Sequence, residues 1–166
     1  IDIAYKYPTK LISEVSIGFV PKVDPKTKEV QFQPKLWGQT HYEQEYDLLV
    51  ASEQTGSELL AGTVPVNIVI AAVPVQYRIK DLYSFIYNHN EPQKLLEAIC
   101  YSKLTQFAAS AKIEIGDQAS MGQSLLGTGR AEAAGILTDR IQKAADEEGL
   151  GVEIVFLGLP GVHPPV

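Results

Sequence analysis

The sequence predicts an α+β domain with a mostly antiparallel sheet and helices packed on one side. Stretches with the period-two pattern of β-strands fill the first half of the chain, two long stretches with helical periodicity follow, and a short apolar stretch comes near the end. The chain has 166 residues, of which 45% are hydrophobic and 20% charged, so we expect one globular domain spanning 1–166. A chain of this length can bury a core large enough to fold without a disulfide or a structural metal.

The first strand signal is an alternation of apolar with small or polar residues, which resumes after a polar turn at 24–28. This pattern predicts a β-hairpin with a long turn. The alternating apolar residues are Val15, Ile17, Phe19, Val30 and Phe32.

A second alternation runs over 41–50 and predicts a single strand with one buried and one solvated face. The buried face is expected to carry Tyr42, Tyr46, Leu48 and Val50. The solvated face is expected to carry His41, Glu43, Glu45 and Asp47.

After a predicted loop at 52–62, the stretch 63–80 predicts a long strand. Its first half is apolar on both faces, so we expect both sides to be covered there. Pro74 has no N–H to donate, which predicts a bulge or a sheet edge at that residue.

Asp81 is placed to cap a short helix, and Asn90 with Gln93 has the form of a capping box that opens a longer helix ending near Ala109. A further helix is expected from about Thr128 to Glu148, with 111–126 left unassigned. The inward faces are predicted to carry Leu96, Ile99, Cys100, Leu104 and Phe107 in one helix and Ala134, Leu137, Ile141 and Ala144 in the other.

The chain is expected to finish with a strand over 152–159 that is apolar on both faces and buried in the sheet. The segment 161–165 contains consecutive prolines, so we expect it to end the sheet.

Composition excludes several classes of function. The formal net charge of −6 argues against a broad basic surface for nucleic acid. The most apolar run, 64–79, is interrupted by Pro65, Asn67 and Pro74 and is shorter than a membrane-spanning helix requires.

The chain has no initiator Met, so we expect an N-terminal segment to be missing from it.

No group of residues has the spacing of a known catalytic or metal site. His41, His89 and His163 are far apart in sequence, and one cysteine cannot build a zinc cage, so we predict no metal and no cofactor. Cys100 falls on the apolar face of its helix, which favours a buried thiol over a nucleophile.

Two further features could carry function. Glu43, Glu45 and Asp47 would share one strand face, where a divalent cation or a hydrolase site is an alternative to an ordinary solvated face. Arg78 and Lys80 would lie together on an exposed face, either as solvated charges or as a rim that meets acidic groups on a neighbouring copy or a membrane surface.

Four segments in their order resemble the SPFH or band-7 family, which includes stomatins, prohibitins, flotillins, HflK and HflC. They are the run from Val64 to Asp81, the helix from Glu91 to Phe107, the helix that starts Gly129-Arg-Ala-Glu, and the end from Gly151 to Pro165. The sequences VQYRIKD and GVHPPV are most similar to the HflK branch. The segment from Tyr7 to Phe19 is similar to the part of that branch that follows its membrane helix.

The resemblance implies a non-enzymatic domain anchored by an N-terminal hydrophobic segment and located at a membrane. It implies homo- or hetero-oligomers of SPFH proteins that organise membrane proteins, with modulation of a membrane-bound AAA+ protease as a further expectation. Weak contacts between copies become effective when many copies are held on one bilayer. The interface residues we expect are Arg78, Lys80, Arg130, Arg140 and His163.

Overall fold

The computed structural model describes residues 4, 6–28, 41–51, 66–110 and 129–163 and has the predicted α+β fold with a mostly antiparallel sheet. The strands are β1 (Ser13–Ile17), β2 (Phe19–Val20), β3 (Gln44–Glu45), β4 (Asp47–Ala51), β5 (Val66–Ile79), β6 (Val152–Leu157) and β7 (Gly161–His163). The helices are α1 (Leu82–Tyr87), α2 (Pro92–Ser110) and α3 (Arg130–Glu147). Predictions for Val30, Phe32, 52–65 and 111–128 lie outside the described residues.

Strand β5 is the centre of the larger sheet, and each of its neighbours pairs with it in antiparallel orientation. β4 covers the first part of one edge of β5 and β1 covers the second part. On the opposite edge, β7 covers the first part of β5 and β6 covers the second part. The sheet is therefore three strands wide, with both flanks built from two short segments.

Pro74 lies where the partner of β5 changes from β7 to β6. β7 pairs as far as Ala72, β6 pairs from Val75, and the Pro74 carbonyl accepts a hydrogen bond from the Gly158 N–H at 3.2 Å. The N and O of one strand residue point to the same side, so the missing N–H faces this interruption. The predicted bulge is displaced, because the register shift occurs between Gln76 and Tyr77.

Alternate residues of β5 face the hydrophobic core that the helices cover. Helix α2 packs on β4 and β1, and α3 packs on β6 and on α2. The predicted faces of both long helices are confirmed apart from Ala134, which is partly buried beside the fully buried Ala133. The buried β5 residues on this side are Val69, Ala71, Val73, Val75 and Tyr77.

The helix boundaries follow local chemistry. Asp81 caps α1 as predicted, because its carboxylate accepts hydrogen bonds from the N–H groups of Tyr83 and Ser84. Helix α2 begins at Pro92, one residue later than the predicted capping box implied. Proline suits the first position of a helix, where its missing N–H would have no partner.

None of the helices in the described ranges is long and apolar enough to cross a bilayer.

The end of the chain differs from the prediction in two ways. Val155 and Phe156 of β6 are exposed, so this strand is not buried on both faces. The segment 161–163 forms β7, because its three residues pair with β5 before the prolines are reached.

The predicted single strand over 41–50 is also wrong. Its first part, β3, pairs with β2, and its second part, β4, pairs with β5. Tyr46 lies between the two strands and is exposed, whereas Leu48 is buried as predicted. We call the two-stranded ribbon of β2 and β3 the flap.

The flap covers the middle of the sheet face opposite the helices, which we call the outer face. Ile70 and Ala72 point to this side of β5 and are buried, although they lie outside the helix-side core. Gly18 turns the chain from β1 into the flap with φ +80°. A Cβ on Gly18 would lie 2.1 Å from the backbone oxygen of Ala71, so the close approach requires glycine.

We predict that Gly18→Ala lowers the free energy of unfolding by more than about 2 kcal/mol, because the left-handed backbone alone costs about 1–3 kcal/mol for a non-glycine residue and the new Cβ meets backbone. Gly135→Ala is the matched control. Gly135 lies in α3, and an added Cβ there would have no described atom within 4 Å beyond its chain neighbours and the nearby helix backbone, so this variant should raise the free energy of unfolding by up to about 1 kcal/mol. Urea denaturation measures both, and equal effects would contradict the close approach.

Candidate functional site

Arg78 and Lys80 lie together at an open groove of about 370 Å³, as the alternation predicted. Each is held by an acidic residue of the same chain. The Arg78 Nε lies 2.6 Å from the Glu153 Oε2, and the Lys80 Nζ lies 2.7 Å from the Asp146 Oδ1. The rim is therefore an ordered set of ion pairs.

The ion pairs shift the pKa of Arg78, Glu153 and Asp146. The hydrogen bond from Arg78 lowers the pKa of Glu153, and the same bond raises the pKa of Arg78. The hydrogen bond from Lys80 is the main cause that lowers the pKa of Asp146, with Gln142 as a smaller contributor. The Glu153 and Asp146 carboxylates therefore stay ionised at neutral pH.

The groove is also lined by a residue just before β1, and two exposed aliphatic residues follow that residue in the chain. Lys10 lines the groove with Arg78 and Lys80. Leu11 and Ile12 follow directly in the chain and are 64% and 56% exposed. We call these five residues the basic edge. It combines cations with exposed apolar side chains.

The other three predicted interface residues lie elsewhere. Arg130 opens α3, and Arg140 is exposed ten residues further along that helix, which separates the two by about 15 Å. The Arg140 guanidinium lies 5.6 Å from the ring centre of Phe107, a cation–π contact within the domain. His163 is buried at 3% exposure, so it is not a surface residue of the described fold.

His163 instead meets His41, although 122 positions separate them in the sequence. Their rings form an edge-to-face contact with centroids 4.9 Å apart. Glu45 lies beside them, with its Oε1 3.5 Å from the His41 Nδ1, and the side chains of His41 and Glu45 are both 5% exposed. We call these three residues the His–Glu–His cluster.

The strand register explains why the cluster forms. His163 of β7 and Asp47 of β4 pair with the same β5 residue, Ile70, from opposite edges. Val162 points into the helix-side core, so His163 points to the outer face, where the flap brings Glu45. No spacing in the sequence signals this meeting, because it depends on tertiary pairing.

The predicted acidic face does not form. Glu43 and Asp47 are exposed, whereas the Glu45 side chain turns inward to the cluster. The break between β3 and β4 changes the phase of the alternation. A cation held jointly by Glu43, Glu45 and Asp47 therefore lacks the shared face that it needs.

Cys100 and His89 have structural roles. Cys100 is 1% exposed, as predicted, and burial raises the pKa of its thiol to about 12. A thiol with this pKa stays protonated and unreactive at neutral pH. The His89 ring lies 2.8 Å from the Glu148 backbone oxygen, which links the end of α1 to the end of α3.

Two exposed aliphatic side chains lie opposite each other on the outer face beside the flap. Leu49 of β4 pairs with Ile68 of β5, and they are 59% and 45% exposed. We call them the outer-face pair. Directly paired aliphatic residues on a sheet form a rigid apolar surface.

No protein-family model matches the sequence, and no curated protein matches it either.

We predict that Asp146→Asn lowers the free energy of unfolding at neutral pH and reduces its dependence on pH in acid. A carboxylate whose pKa is lowered by folding stabilises the fold above its unfolded pKa, and this contribution is lost as pH falls below about 4. Denaturation at several pH values measures the effect. Asp139→Asn, at an exposed position of the same helix, is the control, and identical acid profiles for the two variants would refute the role of the Lys80 pair.

Proposed function

We propose that this chain is a scaffold domain that lies against a membrane and assembles with copies of itself to organise membrane proteins. The observation that carries the proposal is the basic edge, in which exposed Leu11 and Ile12 directly follow Lys10, and Lys10 shares a groove with Arg78 and Lys80. The sequence resemblance to the SPFH family points in the same direction. Modulation of a membrane-bound AAA+ protease is the finer form of this proposal.

The basic edge has two properties that suit a lipid surface. Its aliphatic side chains gain free energy by leaving water, and Lys10 adds a cation that attracts anionic headgroups. Glu153 and Asp146 already order Arg78 and Lys80, so little side-chain entropy is lost when the edge meets a surface. The edge lies where β1 begins, which is the end of the domain that the resemblance places next to the bilayer.

The outer-face pair supplies the contact between copies. Leu49 and Ile68 project from a sheet whose backbone is fixed by pairing, so a second copy can cover them without reordering the fold. A contact of this size is weak alone. Copies held on one membrane meet at high effective concentration, which turns a weak contact into a stable assembly.

We predict that the 166-residue chain floats with vesicles of phosphatidylserine and phosphatidylcholine more than with phosphatidylcholine alone. Leu11→Ser with Ile12→Ser should weaken this binding at least about tenfold, because each aliphatic side chain contributes about 1 kcal/mol or more when buried. Lys10→Glu should reduce the preference for phosphatidylserine.

Tyr83→Ser with Tyr87→Ser is the matched control for vesicle binding. These residues are 70% and 72% exposed on α1, outside the basic edge, so their loss should leave flotation unchanged. Equal binding by the edge variant and the control variant would rule out the basic edge as the lipid contact.

We predict that the full-length protein in vesicles or detergent forms large assemblies and that Leu49→Glu weakens their association at least about fivefold. A buried charge opposes an apolar contact, and the few central residues that dominate an interface each contribute more than about 1 kcal/mol. Light scattering measures particle mass, and circular dichroism should be unchanged because Leu49 is exposed.

The control for assembly is Tyr87→Glu, which places the same charge at an exposed aromatic residue of α1. It should leave particle mass unchanged. A full-length protein that is monomeric on the membrane would overturn the assembly part of the proposal, and loss of assembly in both variants would remove the outer-face pair from it.

A further inference from the structure

The structure places one carboxylate and two imidazoles together in the interior, beneath the flap. One ligand atom from each of His41, Glu45 and His163 lies within 4.8 Å of the other two. We propose that this His–Glu–His cluster is a binding site for a divalent transition metal, with Zn²⁺ as the best fit, which fastens the flap to β7. This inference is independent of the proposed scaffold function.

The buried carboxylate is the main argument. The Glu45 side chain is 5% exposed, and its Oε1 accepts a hydrogen bond from the His41 backbone N–H at 2.8 Å. Among the described residues, the Glu45 Oε2 has no hydrogen-bond partner although it is buried. A buried carboxylate is costly unless a cation compensates its charge, and a metal ion satisfies both the charge and the free oxygen.

The ligand types select the metal. Two imidazoles and a carboxylate suit Zn²⁺ and related first-row ions, whereas Ca²⁺ and Mg²⁺ prefer oxygen ligands. A trio of side-chain ligands leaves the fourth position of a tetrahedral zinc site to a water or another group.

The distances require only small adjustments. Ligand atoms around tetrahedral zinc lie about 3.3 Å apart, and the His41 Nδ1 and Glu45 Oε1 already lie 3.5 Å apart. The largest separation in the cluster, up to 4.8 Å, must shorten by about 1.5 Å, which side-chain rotation can supply. Strands β3 and β7 fix the backbones of Glu45 and His163, and the His41 backbone N–H is hydrogen-bonded to Glu45, so binding needs no change of fold.

Metal binding would stabilise the fold by joining distant segments of the chain. His41 and Glu45 belong to the flap region, and His163 belongs to the strand that pairs with β5 near the end of the chain. A metal bound by all three would join segments that are distant in sequence, and the longer the bridged loop, the larger the entropy removed from the unfolded chain.

The test uses the untagged 166-residue chain, stripped of metal and titrated with Zn²⁺ in a calorimeter. We expect one Zn²⁺ per chain, a higher melting temperature with the metal, and the visible absorption of tetrahedral Co²⁺ when cobalt replaces zinc. X-ray absorption at the zinc edge should detect two imidazoles and one carboxylate. This measurement needs no variant, so it stands even if a variant fails to fold.

Loss of a residue that only contacts a metal ligand typically weakens metal binding about 10- to 100-fold. Glu45→Gln and His163→Gln should each weaken zinc binding by more than this, because each removes a ligand itself. His89→Gln is the matched control, since His89 is a histidine outside the cluster. The proposal is overturned if the wild-type chain binds no Zn²⁺, if both cluster variants bind it as tightly as the wild type, or if the control loses binding equally.

Discussion

The pairing of four strands with β5 is the constraint on which the rest of the fold depends. β5 has two edges, and each edge is shared by two short strands. A β5 residue that lacks an N–H is therefore best tolerated where one partner strand ends and the next begins. Pro74 illustrates this. It lacks the N–H of a ladder residue, and it lies at the gap between β7 and β6, where no ladder bond is needed. The same alternation along β5 separates the helix-side core from the outer face.

The two sides of β5 are buried in different ways. On one side, two long helices provide a continuous apolar core. On the other side, a two-stranded flap covers only the middle, and it reaches that position because Gly18 permits a sharp turn against the backbone of Ala71. Both apolar and polar side chains are buried on this side, namely Ile70 and Ala72 together with the His–Glu–His cluster. The buried polar groups need partners that compensate for their lost hydration.

Most of the helix-side half of the molecule could be predicted from the sequence, because its signals are local. The period-two pattern of β5, the cap at Asp81 and the apolar faces of α2 and α3 each depend on neighbouring residues. The alternation over 41–50 misled for a physical reason. It combines two strands of different sheets, and the phase changes between them at Tyr46, which no local pattern reveals.

The candidate sites also differ in whether local sequence patterns or tertiary pairing bring their residues together. The proximity of Arg78 and Lys80 follows from the alternation at the end of β5 and was predictable, whereas their ion pairs with Glu153 and Asp146 join different elements. The meeting of His41 with His163 depends on the register of β7 on β5 and on the path of the flap, so spacing rules for metal ligands could not detect it. Metal-ligand motifs are recognisable in sequence only when the ligands share a helix or a turn.

The flap connects the two proposals in a physical sense. β3 leads through Tyr46 directly into β4, the strand that presents Leu49 on the outer face. The Tyr46 N–H also donates to the Gly18 oxygen at 3.0 Å, so the turn, the flap and the start of β4 form one hydrogen-bonded unit. An ion bound at Glu45 would restrict this unit from beneath. The surface offered to a second copy would then be more ordered before contact, and ordering before contact lowers the entropy that association must remove.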